Sequence, residues 1–557
     1  MKIKQNLYFL ILVLSILFNS SVFGQWYSNG VVSSADILAS EIGIKILKDG
    51  GNAIDAAVGV GFTLAVVYPQ AGNIGGGGFF VIHLADGRDI AIDFRETAPL
   101  KAYRDMYLDS AGNVIEKLST TGNLAAAVPG SVAGLLYALE KYGTMKRPDI
   151  MRYAIELAEN GFQVSDRLAN SINSYKDDFK IFPGTMKIFG KDFQEGDTLI
   201  QSDLAGTLKE ISEKGRDGFY KGRVADLIVS EMNKTGGLIS YEDLKNYKPK
   251  EREIISGTYR GYKIITMPPP SSGGVCLIYL LNILEKFNLG KYNLYSAENI
   301  HLITEAMRRA YADRSEHLGD PDFYNVPTDI LISKEFADKS FADFDTTKAT
   351  PSDELKPMKI INEGSNTTHY SVADKYGNLV SVTTTINDTY GNKVVVDGAG
   401  FFLNNEMDDL SVKPGVPNIF GLLGNEANAI EPGKRPLSSM TPTIVFSPDG
   451  KPFLVLGSPG GGKIITTVLH TIIRIIDFGM ELEDAVDLPR FHHQWYPDEI
   501  QIERETLDGQ TQRRLIEMGH NITNTTKFGR IDAIIFSSEG LMKGYSDSRG
   551  YGKAIGY

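Results

Sequence analysis

Asn366-Thr367-Thr368-His369-Tyr370-Ser371-Val372, followed by Thr383-Thr384-Thr385-Ile386-Asn387, is the stretch on which the reading of this chain turns. From His369 onward the apolar residues alternate, with Tyr370 and Val372 before, and Leu379, Val380 and Val382 after, Asp374-Lys375-Tyr376-Gly377-Asn378. That is period-two strand patterning around a turn whose Gly377 suits a left-handed position. Pairing Asp374 with Asn378 across the turn brings Thr367 directly opposite Thr385, on one face; a bulge would shift the match by one. The residues before the stretch, 340–366, are polar and poor in apolar side chains, which predicts a flexible segment.

Two readings of Thr367 follow. It is either a β-former opening a strand, or a hidden N-terminus exposed by a cut between Asn366 and Thr367. In the second case Thr367 carries its own base. An α-amine of pKa about 7.7–8.0 can take the proton from the hydroxyl of the same residue. Before the cut, that hydroxyl can attack the Asn366 carbonyl and give an ester that water hydrolyses.

Outward from this stretch, residues 33–69 read as two buried helices. Ser33 or Ser34 is expected to cap the first, Asp49-Gly50-Gly51 stops it, and Asn52 caps a second over Ala53–Val67, which Pro69 ends. Gly75-Gly76-Gly77-Gly78 opens a buried strand and reads as close backbone packing. A hairpin at Asp86-Gly87 leads to Arg95-Glu96, and a strand-end Arg is a natural carboxylate clamp. Residues 130–310 read as mostly helical, with a rigid turn at Pro268-Pro269-Pro270-Ser271-Ser272-Gly273-Gly274 and helices over 275–287 and 296–317. Strand 453–456 runs through Gly457-Ser458-Pro459-Gly460-Gly461-Gly462-Lys463-Ile464 into a helix over 465–476.

That last turn nearly forms a phosphate loop, but Ile464 stands where Ser or Thr must hold magnesium, and Pro459 removes a backbone N–H. Strand, glycine turn and helix N-terminus still make an anion site, which fits an oxyanion hole at Gly460 and Gly461. The eight histidines show no HExxH spacing, so no metal and no cofactor is expected. The single cysteine, Cys276, lies in an apolar run and reads as a core thiol. No G-x-S-x-G nucleophile elbow occurs.

The 557 residues carry a net charge of −12, against a nucleic-acid partner, and 42% are hydrophobic, enough for a large core. Lys2 and Lys4 precede an apolar run over 7–18 and small or apolar residues at Val22-Phe23-Gly24. Residues 1–24 therefore read as a signal peptide of an exported, periplasmic or secreted protein with no stable membrane span.

An ordered set of motifs resembles the gamma-glutamyltransferases (gamma-glutamyltranspeptidases) of the N-terminal-nucleophile hydrolase superfamily, over nearly all of the chain. It comprises 49–57, 72–78, 93–99, 268–274, Thr367–Val372, Leu403-Asn404-Asn405 through Met407-Asp408-Asp409, 434–440, 457–461 and Phe491-His492-His493-Gln494-Trp495. The resemblance implies an α+β, four-layer αββα sandwich. It implies a large subunit, 25–366, and a small subunit, 367–557, that pair as a heterodimer and build one domain. Its site would comprise Thr367 as nucleophile, Thr385 as its partner and Gly460 and Gly461 as oxyanion donors. Arg95, Ser438 and Ser439 would take a glutamyl α-carboxylate, and Asn387, Glu406 and Asp409 its α-amine. Glutathione and other γ-glutamyl compounds would be donors, and water, amino acids or dipeptides acceptors. A related acylase, or a non-catalytic exported binding protein on the same fold, are the alternatives. Loop 413–434 resembles the lid of bacterial members, with Phe420 where a latching Tyr often stands.

Overall fold

A computed structural model describes residues 25–355 and 367–557. Residues 1–24, expected to be a signal peptide, and Asn366 lie outside the described residues. Two antiparallel sheets stack face to face. The first has seven strands in the order Lys553–Gly556, Gly30–Ser34, Thr367–Asp374, Leu379–Thr385, Gly77–His83, Asp89–Asp93 and Lys250–Arg252. The second has six, in the order Met542–Ser546, Asp532–Phe536, Pro452–Gly457, Thr443–Phe446, Tyr262–Thr266 and Ile255–Tyr259.

Alternation along each strand sorts neighbours into different cores. Phe80, Ile82, Tyr370, Val372, Val380 and Val382 face helices Ile37–Lys48 and Ala53–Val67. Phe79, Val81, Ala373 and Leu379 face inward, against Ile265, Ile444, Val455 and Ile534 of the second sheet. Ile264, Val445, Leu454 and Leu456 of that sheet point outward, onto helices Gly273–Leu284, Ala297–His317 and Lys463–Ile476. Three apolar cores between four layers give the expected αββα sandwich.

The hairpin register is the one the sequence dictates. Asp374 N–H bonds the Asn378 carbonyl at 3.2 Å, and Thr384 pairs with Thr368 and Thr385 with Thr367, without a bulge. Asp374 secures the turn by accepting from the Tyr376 and Asn378 backbone, and its other oxygen accepts from Ala53 N–H at the start of the buried helix. Asn52 caps that helix as expected. Both sheets mix strands from before and after residue 366, so the two segments share both sheets.

Three local expectations change. Ser33 and Ser34 belong to a strand, and Asp36 caps the helix at Ile37–Lys48 through Leu38 N–H. The region 130–310 also holds the hairpin Ile255–Tyr259 and Tyr262–Thr266. Its turn puts Arg260 and Gly261 at positive φ, and an Arg there hides the usual turn signal. The segment expected to be flexible from 340 is docked as far as Ser352: Arg309 pairs with Asp343 at 2.8 Å, Ala349 N–H bonds the Met518 carbonyl, and Ser352 is buried.

The glycine run packs backbone on backbone. A Cβ on Gly76 would overlap the Thr385 carbonyl oxygen, and one on Gly78 the Thr383 carbonyl. Gly76→Ala is therefore expected to cost about 1–3 kcal/mol by overpacking. Urea unfolding should show a lower midpoint at unchanged slope; an unchanged midpoint would show that the strands part without cost.

Candidate active site

Thr367 and Thr385 end their strands side by side, with the hydroxyls 3.5 Å apart. Asn387 N–H donates to the Thr385 hydroxyl at 2.8 Å from a backbone at φ 73°. Asn73 fixes the strand end by donating to the Thr385 carbonyl and to the Thr384 hydroxyl. The next pairs inward are also polar. His369 bonds the Thr383 and Ser371 hydroxyls, and burial lowers its pKa to about 3. It is a neutral, fully engaged side chain and no base for Thr367. Among the described residues, no histidine lines the cleft around Thr367. In the intact chain the Thr367 nitrogen is an amide bonded to Asn366.

Above Thr367, the turn from strand Pro452–Gly457 to helix Lys463–Ile476 carries Gly460 at φ 136° and Gly461 at φ 54°. Neither of their N–H groups has a hydrogen-bond partner among the described residues. Gly460 faces one cleft beside Thr367 and Gly461 the other. Two unpaired donors at a helix start are what a developing oxyanion needs.

Phe420 separates the two clefts, and its ring lies against Gly461, 2.8 Å from where a Cβ would stand. The lid is held by Gln494, which donates to the Phe420 carbonyl at 3.2 Å, by Ile419 N–H on Asp408, and by Asn418 on Asp409. Asn387 takes no part in this latch, because its amide donates to the Asn405 carbonyl.

The inner cleft is lined by Arg95, Thr367, Thr385, Asn387, Glu406, Asp409, Ser438, Ser439 and Gly461, so every predicted catalytic and substrate-binding residue but Gly460 meets there. Arg95 is fully buried and ion-pairs with Glu406 and Asp409, with Glu96 3.5 Å away. Three carboxylates around one guanidinium leave an excess of acid. Burial, opposed by Arg95, raises Glu96 to about 7; burial also raises Glu406 and Asp409. Glu406 Oε2 is buried without a partner among the described residues, an acceptor aimed at nothing in the protein. The arrangement suits a cationic N–H donor.

Sequence reasoning missed Arg314. It reaches the cleft from helix Ala297–His317 and donates to Ser439 Oγ at 3.1 Å and Ser272 Oγ at 2.8 Å. Its only sequence signal is a charge on an otherwise buried helix.

Other chemistry-bearing groups are engaged elsewhere. Burial pushes the Cys276 thiol up to about 12. His301, Glu305 and His520 cluster, but the imidazoles bond each other at 2.7 Å and Glu305 is held by Arg308 and Arg309. The adjacent His492 and His493 bond Thr466 and Gln494, and Asp498, respectively.

This four-layer sandwich, with Thr367 at a strand start, has the fold of the N-terminal-nucleophile hydrolases. The family model described as gamma-glutamyltranspeptidase matches residues 39–557, and the chain belongs to that family. It is 50% identical to the glutathione hydrolase proenzyme of Escherichia coli (strain K12), covering 93% of this chain and 90% of that one. Among solved structures, a cephalosporin acylase from Bacillus halodurans matches with TM-score 0.86 and 27% identity over 97% of each chain. Helicobacter pylori gamma-glutamyltranspeptidase matches with TM-score 0.58 and 53% identity, covering 58% of this chain and 94% of that one.

Gly461→Ala tests the glycine turn. An Ala at φ 54° is strained, and its methyl displaces the Phe420 ring. Loss of an aligned N–H costs about 100- to 1000-fold in kcat. That loss is expected in steady-state turnover, and a variant within threefold of the parent would place the oxyanion donors elsewhere.

Proposed function

We propose that this chain is a gamma-glutamyltransferase and glutathione hydrolase whose precursor cuts itself between Asn366 and Thr367. The observation that carries the reading is a single cleft holding the Thr367–Thr385 pair, the Gly461 N–H and the Arg95–Glu406–Asp409 cluster, with Gly460 facing its neighbour. Residues 1–24 act as an export signal. The large subunit 25–366 and the small subunit 367–557 stay together as a heterodimer, because their strands interleave in both sheets.

In the cut, Thr367 Oγ attacks the Asn366 carbonyl carbon, the amide bond to Thr367 nitrogen breaks, and water hydrolyses the resulting ester. The freed amine then serves as base. It takes the proton as Oγ attacks the γ-carbonyl of the donor, while Gly460 and Gly461 N–H groups hold the oxyanion. It returns that proton to the departing nitrogen, leaving a γ-glutamyl ester on Thr367. Water or the amine of an amino acid or dipeptide then takes the acyl group, which predicts ping-pong kinetics. Hydroxyl, amine and water balance every step, so no cofactor is called for.

The donor head is a zwitterion. Arg95, Ser438 and Ser439 hold its α-carboxylate, and Asn387, Glu406 and Asp409 its α-ammonium, with Glu406 Oε2 supplying the unpartnered acceptor. The wider cleft across Phe420, lined by Tyr68, Lys527 and Phe528 among others, gives the leaving group and the acceptor their way in. The likeness to a cephalosporin acylase keeps glutaryl amides as the competing substrate class.

N-terminal sequencing of the smaller fragment is expected to read Thr-Thr-His-Tyr-Ser, and Thr367→Ala to remain uncut and inactive; a cut Thr367→Ala protein would refute the mechanism. Turnover of a γ-glutamyl anilide, well above that of the glutaryl anilide, is expected from the processed enzyme. The reverse preference would make the chain an acylase, and an uncut chain without turnover a binding protein.

A further inference from the structure

Arg314 and Arg95 are the two cations lining the inner cleft, and they are bound differently. Arg95 is bracketed by carboxylates of Glu96, Glu406 and Asp409. Arg314 is buried, and among the described residues no carboxylate lies within ion-pair distance of it. A guanidinium taken out of water without a counter-ion is costly, and such a charge is retained where something completes it.

Its hydrogen bonds show what it organises. Nη2 donates to Ser439 Oγ at 3.1 Å, occupying a lone pair of that hydroxyl. The Ser439 proton is left for another acceptor, and among the described residues the hydroxyl donates to none. Nε donates to Ser272 Oγ at 2.8 Å, and Ser272 Oγ donates in turn to the Ser438 carbonyl at 2.6 Å. Ser272 N–H bonds the same carbonyl at 2.7 Å. The rigid turn 268–274, to which the site assignment gave no role, thus ties Arg314 to the Ser438–Ser439 segment.

We propose that Arg314 is the positioning residue and counter-charge for the donor's α-carboxylate: it turns the Ser439 hydroxyl proton toward that carboxylate and places a positive charge behind it. This rests on the γ-glutamyl reading of the cleft. It divides the labour between the two arginines. Arg95, paired with the acids that receive the ammonium, meets the carboxylate from that side, and Arg314, with no carboxylate within ion-pair distance among the described residues, adds positive charge behind the serines.

A purely structural role would be to hold the Ser438–Ser439 segment in place, and it would harm every substrate alike. The test therefore compares processed enzyme on γ-glutamyl p-nitroanilide and on 4-aminobutanoyl p-nitroanilide, which keeps the chain and amine but lacks the α-carboxylate. A charge-assisted contact predicts that Arg314→Met raises KM for the γ-glutamyl donor roughly 10- to 100-fold, with kcat changed by less than about threefold. The loss for the 4-aminobutanoyl donor should be at least about tenfold smaller. Once Ser439→Ala is present, Arg314→Met should add less than about threefold, because the two act as one unit. Arg314→Lys, which keeps charge but cannot reach both serines, should fall between parent and Met, and it carries the comparison if the Met variant fails to process.

Calorimetric binding of L-glutamate against 4-aminobutanoate reads the same discrimination without turnover. Equal losses for both donors, or unchanged L-glutamate affinity in Arg314→Met, overturn the proposal. A parent enzyme that turns over no γ-glutamyl anilide but binds L-glutamate through Arg314 would instead overturn the assigned activity and leave this inference standing.

Discussion

The site depends on one cross-strand pairing, Thr367 opposite Thr385. A shift of one residue would turn Thr367 into the helical layer and put Thr368 into the cleft. Several contacts forbid that shift. Asp374 locks the turn and also caps the buried helix at Ala53, so the hairpin cannot slide without breaking a helix start. At the other end, Asn73 grips the Thr385 carbonyl, and Gly76 packs beneath it with no room for a side chain. The glycine run, the Asn73 clamp and the Asp374 turn serve one end: they fix two hydroxyls to within hydrogen-bond range.

Placing the nucleophile at a strand start in a buried cleft creates a shortage of bases. The nearest imidazole, His369, is held neutral by burial and spends both ring nitrogens on neighbouring hydroxyls. On the proposed cut, a terminal amine would solve the shortage without adding a side chain to a packed layer. The topology tolerates the break this requires. Strand Leu379–Thr385 pairs with Thr367–Asp374 as far as Thr367, and Gly30–Ser34 pairs with it from Tyr370 to Asp374, so a terminus freed at Thr367 would keep its register through one neighbour.

Much of this was legible in the sequence because it is local. The hairpin register follows from alternation and one turn, the Asn52 cap from its position before an apolar run, and the glycine packing from the absence of side chains. The residues that build the site come from distant segments, and only the family resemblance brought Arg95, Glu406, Asp409 and Ser438 together in advance. What stayed hidden depended on tertiary partners. The Arg260-Gly261 turn takes an unusual backbone that Asp477 and Glu285 secure. The segment 341–352 is polar by composition but docked by Arg309 and Met518. Arg314 looked like one more charge on a long helix until the fold set it against Ser439.

Charge imbalance in the walls bears on which ligand this buried site suits. Arg95 alone cannot neutralise Glu96, Glu406 and Asp409, and burial raises the pKa of all three acids. Arg314 has no carboxylate within ion-pair distance among the described residues, and Asp409 acts on it only at longer range. Each half is unfavourable in a medium of low dielectric, and the two are too far apart to cancel by direct pairing. A zwitterion lying between them, ammonium toward the acids and carboxylate toward the serines, satisfies both at once and brings no net charge into the interior. A ligand with only one of these charges relieves one half and leaves the other exposed to the full desolvation cost. On the proposed reading, selectivity for an amino-acid head would come from two opposite imbalances in the walls, with Phe420 narrowing the inner cleft between them.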